Sequence, residues 1–394
     1  MGRERVHVES SLTALIEARG ILGSARSVCT SVISCLEVCC DQRRERGQRS
    51  DDEPNDMDRE SNSGLQGGNR VPLIVPVLMS GRSGSSVIAH AVQMLGVDLG
   101  NRLRAPRAKN PKGFFEDQDV RRLSKRLHRV LGGRARMSLV PADRWDEPAV
   151  KALEDDAVAI LARRFADVPA WGFKNGRTLR YLPFWQRVLD RLDGEARYVF
   201  AIRNPLAAAV SRDLTRADKL MDRGGGVELN LYQWLTEVVP HFGLLREQPL
   251  LVVDFDRLAA APAEELRRIA EFLGFPWTDA RAAAAARFAE RFLAEGLRHH
   301  RYDLDDLERD PRVPVLARES YRLLDALAID DGAAGDTALW QHWSRLDAQL
   351  EELAPLLNFA GATEQALWRA QLNPLTPLSI IGRKWWPRSR SSGD

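Results

Sequence analysis

The run from Leu73 to Val87, Leu-Ile-Val-Pro-Val-Leu-Met-Ser-Gly-Arg-Ser-Gly-Ser-Ser-Val, constrains this chain more than any other stretch of it. Its apolar half predicts a buried strand, and Gly81 and Gly84 predict a tight turn that opens a helix at once. Such a turn leaves backbone N–H groups without intrahelical partners at the helix N-terminus, where the helix dipole also favours negative charge. Phosphate is the natural occupant, and Arg82, Ser83, Ser85 and Ser86 add a cation and hydroxyls to the amides of Gly81 and Gly84. The loop that binds nucleoside triphosphates places a Lys after its second Gly. Here Ser85 stands there and the cation comes earlier, which moves the reading away from ATP hydrolysis. Read without a ligand, the same segment is a βα turn with permissive glycines and Ser85 as helix cap.

At 394 residues the chain can bury one large core or two smaller ones, and 44% hydrophobic with 28% charged residues is ordinary for a globular protein. A net charge of +2 gives no reason to expect nucleic acid as partner. Seven lysines stand against fifty arginines, so any Lys near a site is worth individual attention. All four cysteines (Cys29, Cys35, Cys39 and Cys40) precede residue 41, so the expected core has no disulfide framework, which suits a reducing compartment. No His lies near them at zinc-ligand spacing. The apolar stretch 21–40 is interrupted by Arg26 and Glu37, and Glu4, Glu9 and Glu17 stand where a signal peptide needs positive charge. The expectation is a cytoplasmic protein without a transmembrane segment.

Residues 41–70 are charged and rich in Gly, Ser and Asn, so 1–70 reads as a disordered or weakly structured extension. Apolar periodicity then predicts a helix over 85–97 and a basic helix after the loop 110–117. Further helices are expected over 149–167, 179–192, 227–246 and 263–274, and strands over 170–174, 197–203 and 250–255. Strands alternating with helices imply an α/β fold, a three-layer parallel sheet flanked by helices, with ligands at the carboxyl ends of the strands. The α/β core is expected over 71–280, a helical C-terminal region over 281–375, and a basic tail over 376–394. The tail, with Lys384, Trp385 and Trp386, reads as a frayed terminus or as a contact for a membrane surface or partner.

A second anion signal follows the strand at 197–203. Arg203 ends that strand, Asn204-Pro205 turns the chain, and Ser211 lies eight residues beyond Arg203 on the next helix. A guanidinium fork and a hydroxyl converging on one point suit a second phosphate.

Together the two segments resemble the sulfotransferase family, which transfers sulfuryl groups from 3′-phosphoadenosine-5′-phosphosulfate (PAPS), over roughly residues 72–275. Residues 285–330, with Leu297-Arg-His-His-Arg301, also look like stretches of bacterial members. The resemblance implies a P-loop NTPase-like fold, with the 5′-phosphosulfate gripped at Gly81, Arg82, Ser83, Gly84, Ser85 and Ser86 and the 3′-phosphate at Arg203 and Ser211. Two departures stand out. Ser85 and Ser86 replace the usual threonines and keep their hydroxyls. Asn175-Gly176-Arg177 replaces a Pro-containing turn after Lys174, which is expected to loosen it.

Sulfuryl transfer needs cations for the leaving phosphate and a base for the acceptor proton. The resemblance puts Lys174 against the transferring group, and Arg82 lies inside the phosphosulfate turn. The loop Asn110-Pro-Lys-Gly-Phe-Phe-Glu116 is similar to the Asn-Pro-x-Gly-aromatic-aromatic-Glu loop of bacterial members, making Glu116 the candidate base, desolvated by Phe114 and Phe115. Asp117 and Asp119 are lesser candidates. His90 is expected to be buried in its helix, and His299 and His300 to be structural. No metal is expected. A carbohydrate or glycoconjugate acceptor is the expectation by analogy with bacterial relatives. Two other readings stay open: a small-molecule kinase, which would need a metal-holding carboxylate such as Asp254, and a non-catalytic nucleotide-binding relative.

Overall fold

The structure is a computed structural model and describes residues 71–106, 113–132, 137–217, 226–293 and 302–372. The expectations for 1–70 with its four cysteines, for Asn110 to Lys112, for the stretch Leu297 to Arg301 including His299 and His300, and for the tail beyond 372 fall outside those residues.

Strand β1 (Leu73–Met79) is followed by helices α1 (Ser85–Met94), α2 (Gln118–Val130) and α3 (Pro148–Arg164) and by strand β2 (Ala170–Lys174). Helix α4 (Leu182–Leu189) leads through the two-residue strand β3 (Glu195–Ala196) into β4 (Tyr198–Ile202), then to α5 (Pro205–Ala217) and α6 (Gly226–Phe242). Strand β5 (Leu250–Asp254) passes directly into α7 (Phe255–Ala260), and α8 (Pro262–Phe272) follows. Helices α9 (Asp279–Phe292), α10 (Leu304–Arg309), α11 (Val315–Ile329), α12 (Thr337–Glu352) and α13 (Ala354–Leu372) complete the described chain. Among the described residues, no helix is long and apolar enough to cross a membrane.

All the strands pair in parallel in the order β2-β1-β4-β5, with β3 alongside the start of β1. Alternation along each strand sorts side chains to two faces. Ile74, Leu78, Trp171, Phe173, Tyr198, Phe200, Ile202 and Val252 join one core, shared with α2 to α6, α11 and α12. Leu73, Val75, Val77, Val199, Ala201, Leu251 and Val253 join the other, covered by α1, α8 and α9. The expected α/β architecture of a parallel sheet between helical layers is therefore present.

Pro76 lies mid-strand in a central position, where it would normally cost a ladder hydrogen bond. Strand β1 pairs with β3 at Leu73 and Ile74 and with β4 from Val77 to Met79, so the proline falls in the gap between those ladders.

Asp254 ends β5. Its Oδ1 accepts the N–H groups of Asp256 (2.8 Å) and Arg257 (2.9 Å), capping α7, and its Oδ2 accepts the Tyr321 hydroxyl at 3.3 Å. Both oxygens are thus taken by the fold, which is at odds with the metal-holding role that the kinase reading required of it. Burial pushes its pKa up from 3.8 to about 6, with the negative charges of Asp256 and Asp325 adding to the shift and the two cap bonds opposing it. A folded-state value above the unfolded one means that folding favours the protonated acid. The contribution is full below about 4 and is lost as pH rises through about 6. Asp254→Asn keeps the cap acceptor without the charge. The stability gap between variant and wild type should move in the variant's favour as pH rises from 4 to 7, by on the order of 2–3 kcal/mol. Urea unfolding across that range tests it, and a gap independent of pH would show the carboxylate to be unstrained.

Candidate active site

The turn between β1 and α1 is built as its sequence requires. Gly84 is the N-cap of α1 at φ +70°, and the Phe255 ring fills the space where a Cβ would stand. Arg82 has φ +75°, an uncommon conformation for a residue with a Cβ, and such strain gathers at ligand sites. The Gly84 carbonyl accepts from Val87 (2.8 Å) and Ile88 (3.3 Å), so the N–H groups before Val87 precede the first intrahelical acceptor. The Ser83 hydroxyl is buried and has no hydrogen-bond partner among the described residues. Ser85 departs from expectation. Its hydroxyl donates to Met79 Sδ at 2.7 Å, toward the sheet, and does not cap the helix. Its backbone N–H is what it can offer a ligand.

Helix α5 brings the second signal to this turn. Arg82 Nε and Nη2 donate to Ser211 Oγ at 3.1 and 2.9 Å. Arg203 is buried, its guanidinium carbon 5.1 Å from the centre of the Phe255 ring and its Nε donating to Asp256 Oδ2 at 3.3 Å. Phe255 therefore packs against both Gly84 and Arg203. Arg212 Nη2 donates to the Gly81 carbonyl at 3.0 Å. Burial, then the like charges of Arg203 and Arg212, lower the pKa of Arg82 below its ordinary value. Crowded guanidinium groups of this kind favour an anion between them. The sequence reading assigned Arg82 to the phosphosulfate end, whereas its side chain is turned to Ser211.

The third group surrounds Lys174 at the carboxyl end of β2. Lys174 is only 2% exposed. Its Nζ donates to the Phe114 carbonyl at 3.0 Å and lies 3.4 Å from Ser86 Oγ and 3.5 Å from Glu116 Oε1. Burial lowers its pKa, Glu116 opposes that shift, and Arg104 adds to it. Glu116 is held by its backbone, because its carbonyl accepts Arg104 N–H at 2.9 Å and Leu103 bridges Asp117. Phe115, at φ +51°, stacks on His90 at 5.0 Å, so His90 serves ring packing at this loop. Glu116 was expected among aromatic faces. Its Oε2 instead accepts from Arg104 Nη1 at 3.0 Å, and Arg104 in turn lies 3.7 Å over the Phe114 ring. Phe114 thus carries a cation to the carboxylate.

Asp117 and Asp119, the alternative bases, are committed elsewhere. Asp117 Oδ1 caps α2 through Asp119 and Val120 N–H and accepts from Arg164 at 2.8 Å. Asp119 is shared among Arg102, Arg122 and Arg164. Among the described residues, no group of three or more His, Cys, Asp or Glu could hold a metal ion.

Residues 146–279 match the sulfotransferase family. The chain thus carries a segment that matches the family whose resemblance the two anion motifs implied. The matched sulfotransferase segment contains Lys174, Arg203 and Ser211, while the Gly81–Ser86 turn and Glu116 precede it. Solved structures similar to this chain include the sulfotransferase domain from the Synechococcus PCC 7002 olefin synthase (19% identity, 65% of this chain, 98% of that chain, TM-score 0.36). Another is sulfotransferase STF9 from Mycobacterium avium (18% identity, 67% of this chain, 78% of that chain, TM-score 0.36). Retinol dehydratase in complex with androsterone and inactive cofactor PAP is also similar (14% identity, 72% and 80%, TM-score 0.27). Comparison with curated proteins finds no match.

The turn after Lys174 lacks the proline of the family pattern but is closed in another way. Asn175 Oδ1 accepts Arg177 N–H at 3.1 Å, and the Asn175 carbonyl accepts Thr178 N–H at 3.0 Å. This Asx turn closes the chain by hydrogen bonds where the family pattern has proline. Sequence reasoning missed Arg104, Arg212 and Phe255. Only Arg212 carried a signal, being adjacent to Ser211 on the same helix.

Gly84→Ala should fold poorly, because it places a Cβ at φ +70° and into the Phe255 ring. The expected loss is about 2 kcal/mol or more in urea unfolding. Gly176→Ala, which meets nothing within 4 Å, should be nearly neutral. Equal effects at the two positions would contradict the packing described.

Proposed function

We propose that this enzyme moves a sulfuryl group from PAPS to a hydroxyl or amine of an acceptor, with carbohydrate or glycoconjugate as acceptor class by analogy with bacterial members of the family. The observation that carries the reading is a convergence at one sheet edge. Ser86, Lys174 and Glu116 meet within 3.5 Å contacts, beside the Gly81–Ser86 turn that also meets Ser211 and, through Phe255, Arg203.

The residues suit a donor with two anionic ends. The buried Ser83 hydroxyl has no partner among the described residues, and desolvation followed by the like charges of Arg203 and Arg212 lowers the Arg82 pKa, the second of which an anion would relieve. Arg203 and Ser211 would hold the 3′-phosphate, with Arg82 reaching across from the turn. The N–H groups at the start of α1 and the hydroxyls of Ser83 and Ser86 would hold the phosphosulfate. When bound, the donor supplies the sulfuryl group and a leaving phosphate.

Lys174 offers a cation that needs no reorganisation, fixed by the Phe114 carbonyl and directed at Ser86. Burial weakens its hold on its proton, which suits a group that shares a proton with a leaving oxygen. Glu116 Oε2 is anchored by Arg104, while its Oε1 lies at a long 3.5 Å from Lys174. A carboxylate oxygen has lone pairs beyond one long contact, so Oε1 is the place to accept the acceptor's proton.

Glu116→Gln should reduce transfer of labelled sulfate from PAPS into a host glycan extract by about 100-fold or more. Its affinity for adenosine 3′,5′-bisphosphate by calorimetry should stay within about twofold of wild type. Lost nucleotide binding with unchanged turnover per bound donor would remove Glu116 from the base role. Arg203→Ala should weaken the bisphosphate by about 1.5–3 kcal/mol while leaving adenosine 5′-monophosphate nearly unaffected. Wild-type affinity for both would place the second phosphate elsewhere.

A further inference from the structure

We infer that Arg212 is a positioning residue that fastens the donor turn to helix α5, an assignment that rests on reading the Gly81–Ser86 turn as the donor site. Arg212 is buried, and its Nη2 donates to the Gly81 carbonyl at 3.0 Å. The same nitrogen lies 3.8 Å from Glu237 Oε2, which accepts the Ser80 hydroxyl at 3.1 Å, while Glu237 Oε1 accepts Gln233 Nε2 at 2.7 Å. Two consecutive residues of α5 therefore grip the turn. Ser211 takes the Arg82 guanidinium, and Arg212 takes the carbonyl one residue earlier.

The consequence follows from peptide geometry. In a planar trans peptide, the carbonyl of Gly81 and the N–H of Arg82 point in opposite directions. Tethering the carbonyl fixes the direction of that N–H and supports Arg82 at its positive φ. Arg212 thus acts on the 5′ end of the donor through the backbone, without being assigned a contact to either phosphate. It also explains the glycine at 81. Gly81 is not among the glycines with positive φ, and the Arg212 guanidinium occupies the position of its missing Cβ.

Calorimetry with adenosine 3′,5′-bisphosphate and adenosine 5′-monophosphate on wild type, Arg212→Ala, Arg212→Lys, Gly81→Ala and Gly81→Ala/Arg212→Ala tests the assignment, with circular dichroism to establish folding. Arg212→Ala should weaken both nucleotides by the same factor, about tenfold. Arg212→Lys should recover part of that loss. Gly81→Ala should reproduce it by displacing the guanidinium, and should add less than about twofold once Arg212 is alanine. If Arg212→Ala does not fold, Gly81→Ala and Arg212→Lys carry the comparison alone. A loss confined to the bisphosphate would make Arg212 a direct ligand of the 3′-phosphate and overturn the inference. Unchanged affinities, or losses at 81 and 212 that multiply, would overturn it equally. Wild type that binds neither nucleotide would overturn the donor reading itself, a result distinct because it needs no variant.

Discussion

Like charge gathered in three guanidinium groups, two of them buried, is the constraint around which the carboxyl edge of this sheet is organised. Partial desolvation first, then the charges of Arg203 and Arg212, lower the pKa of Arg82. Burying such a set is costly unless each charge is partnered. Asp256 accepts from Arg203 Nε, Glu237 lies at 3.8 Å from Arg212, and the partner given to Arg82 is a neutral hydroxyl. Clustered guanidinium groups of this kind suit an anion such as a phosphate.

The opposite balance holds a few residues away. Lys174 and Glu116 are both buried, but each is satisfied by more than the other: Lys174 by a backbone carbonyl, Glu116 by Arg104. The long contact between them keeps the pair from collapsing into a tight ion pair in which neither group would be available. The Arg104 guanidinium rests on the Phe114 ring, so the loop that presents Glu116 also carries the cation that orients it. One loop thereby sets charge, direction and access for a single carboxylate.

Backbone architecture and the meeting of the two anion motifs were legible in the sequence because both rest on local rules. Alternation in Leu73–Met79 and Tyr198–Ile202 dictates two buried faces, and the Arg203-to-Ser211 spacing places a strand end and a helix face side by side. The helix expected over 85–97 ends at Met94, since Gly96 at φ +116° stops it. Side-chain directions were not legible. Ser85 turns to Met79, Arg82 to Ser211 and Arg104 to Glu116 through contacts made only when distant segments pack. No spacing rule encodes them. Phe255 shows the same limit. In the sequence it closes the strand expected over 250–255, yet it opens α7 and its ring stands between Gly84 and Arg203.

Asn175 shows how far a motif can drift while its physics is kept. Proline at a turn restricts backbone entropy and removes an N–H donor. An Asx turn reaches a similar end by accepting the Arg177 N–H two residues on, and the Asn175 carbonyl closes the turn on Thr178. Lys174 needs only that the backbone after it leave β2 in a fixed direction, because its own position is set by the Phe114 carbonyl and by burial. The demand is therefore for a closed turn and not for a particular residue. A departure from the family pattern at this point changes the means of closing the loop and leaves the ammonium on the Phe114 carbonyl.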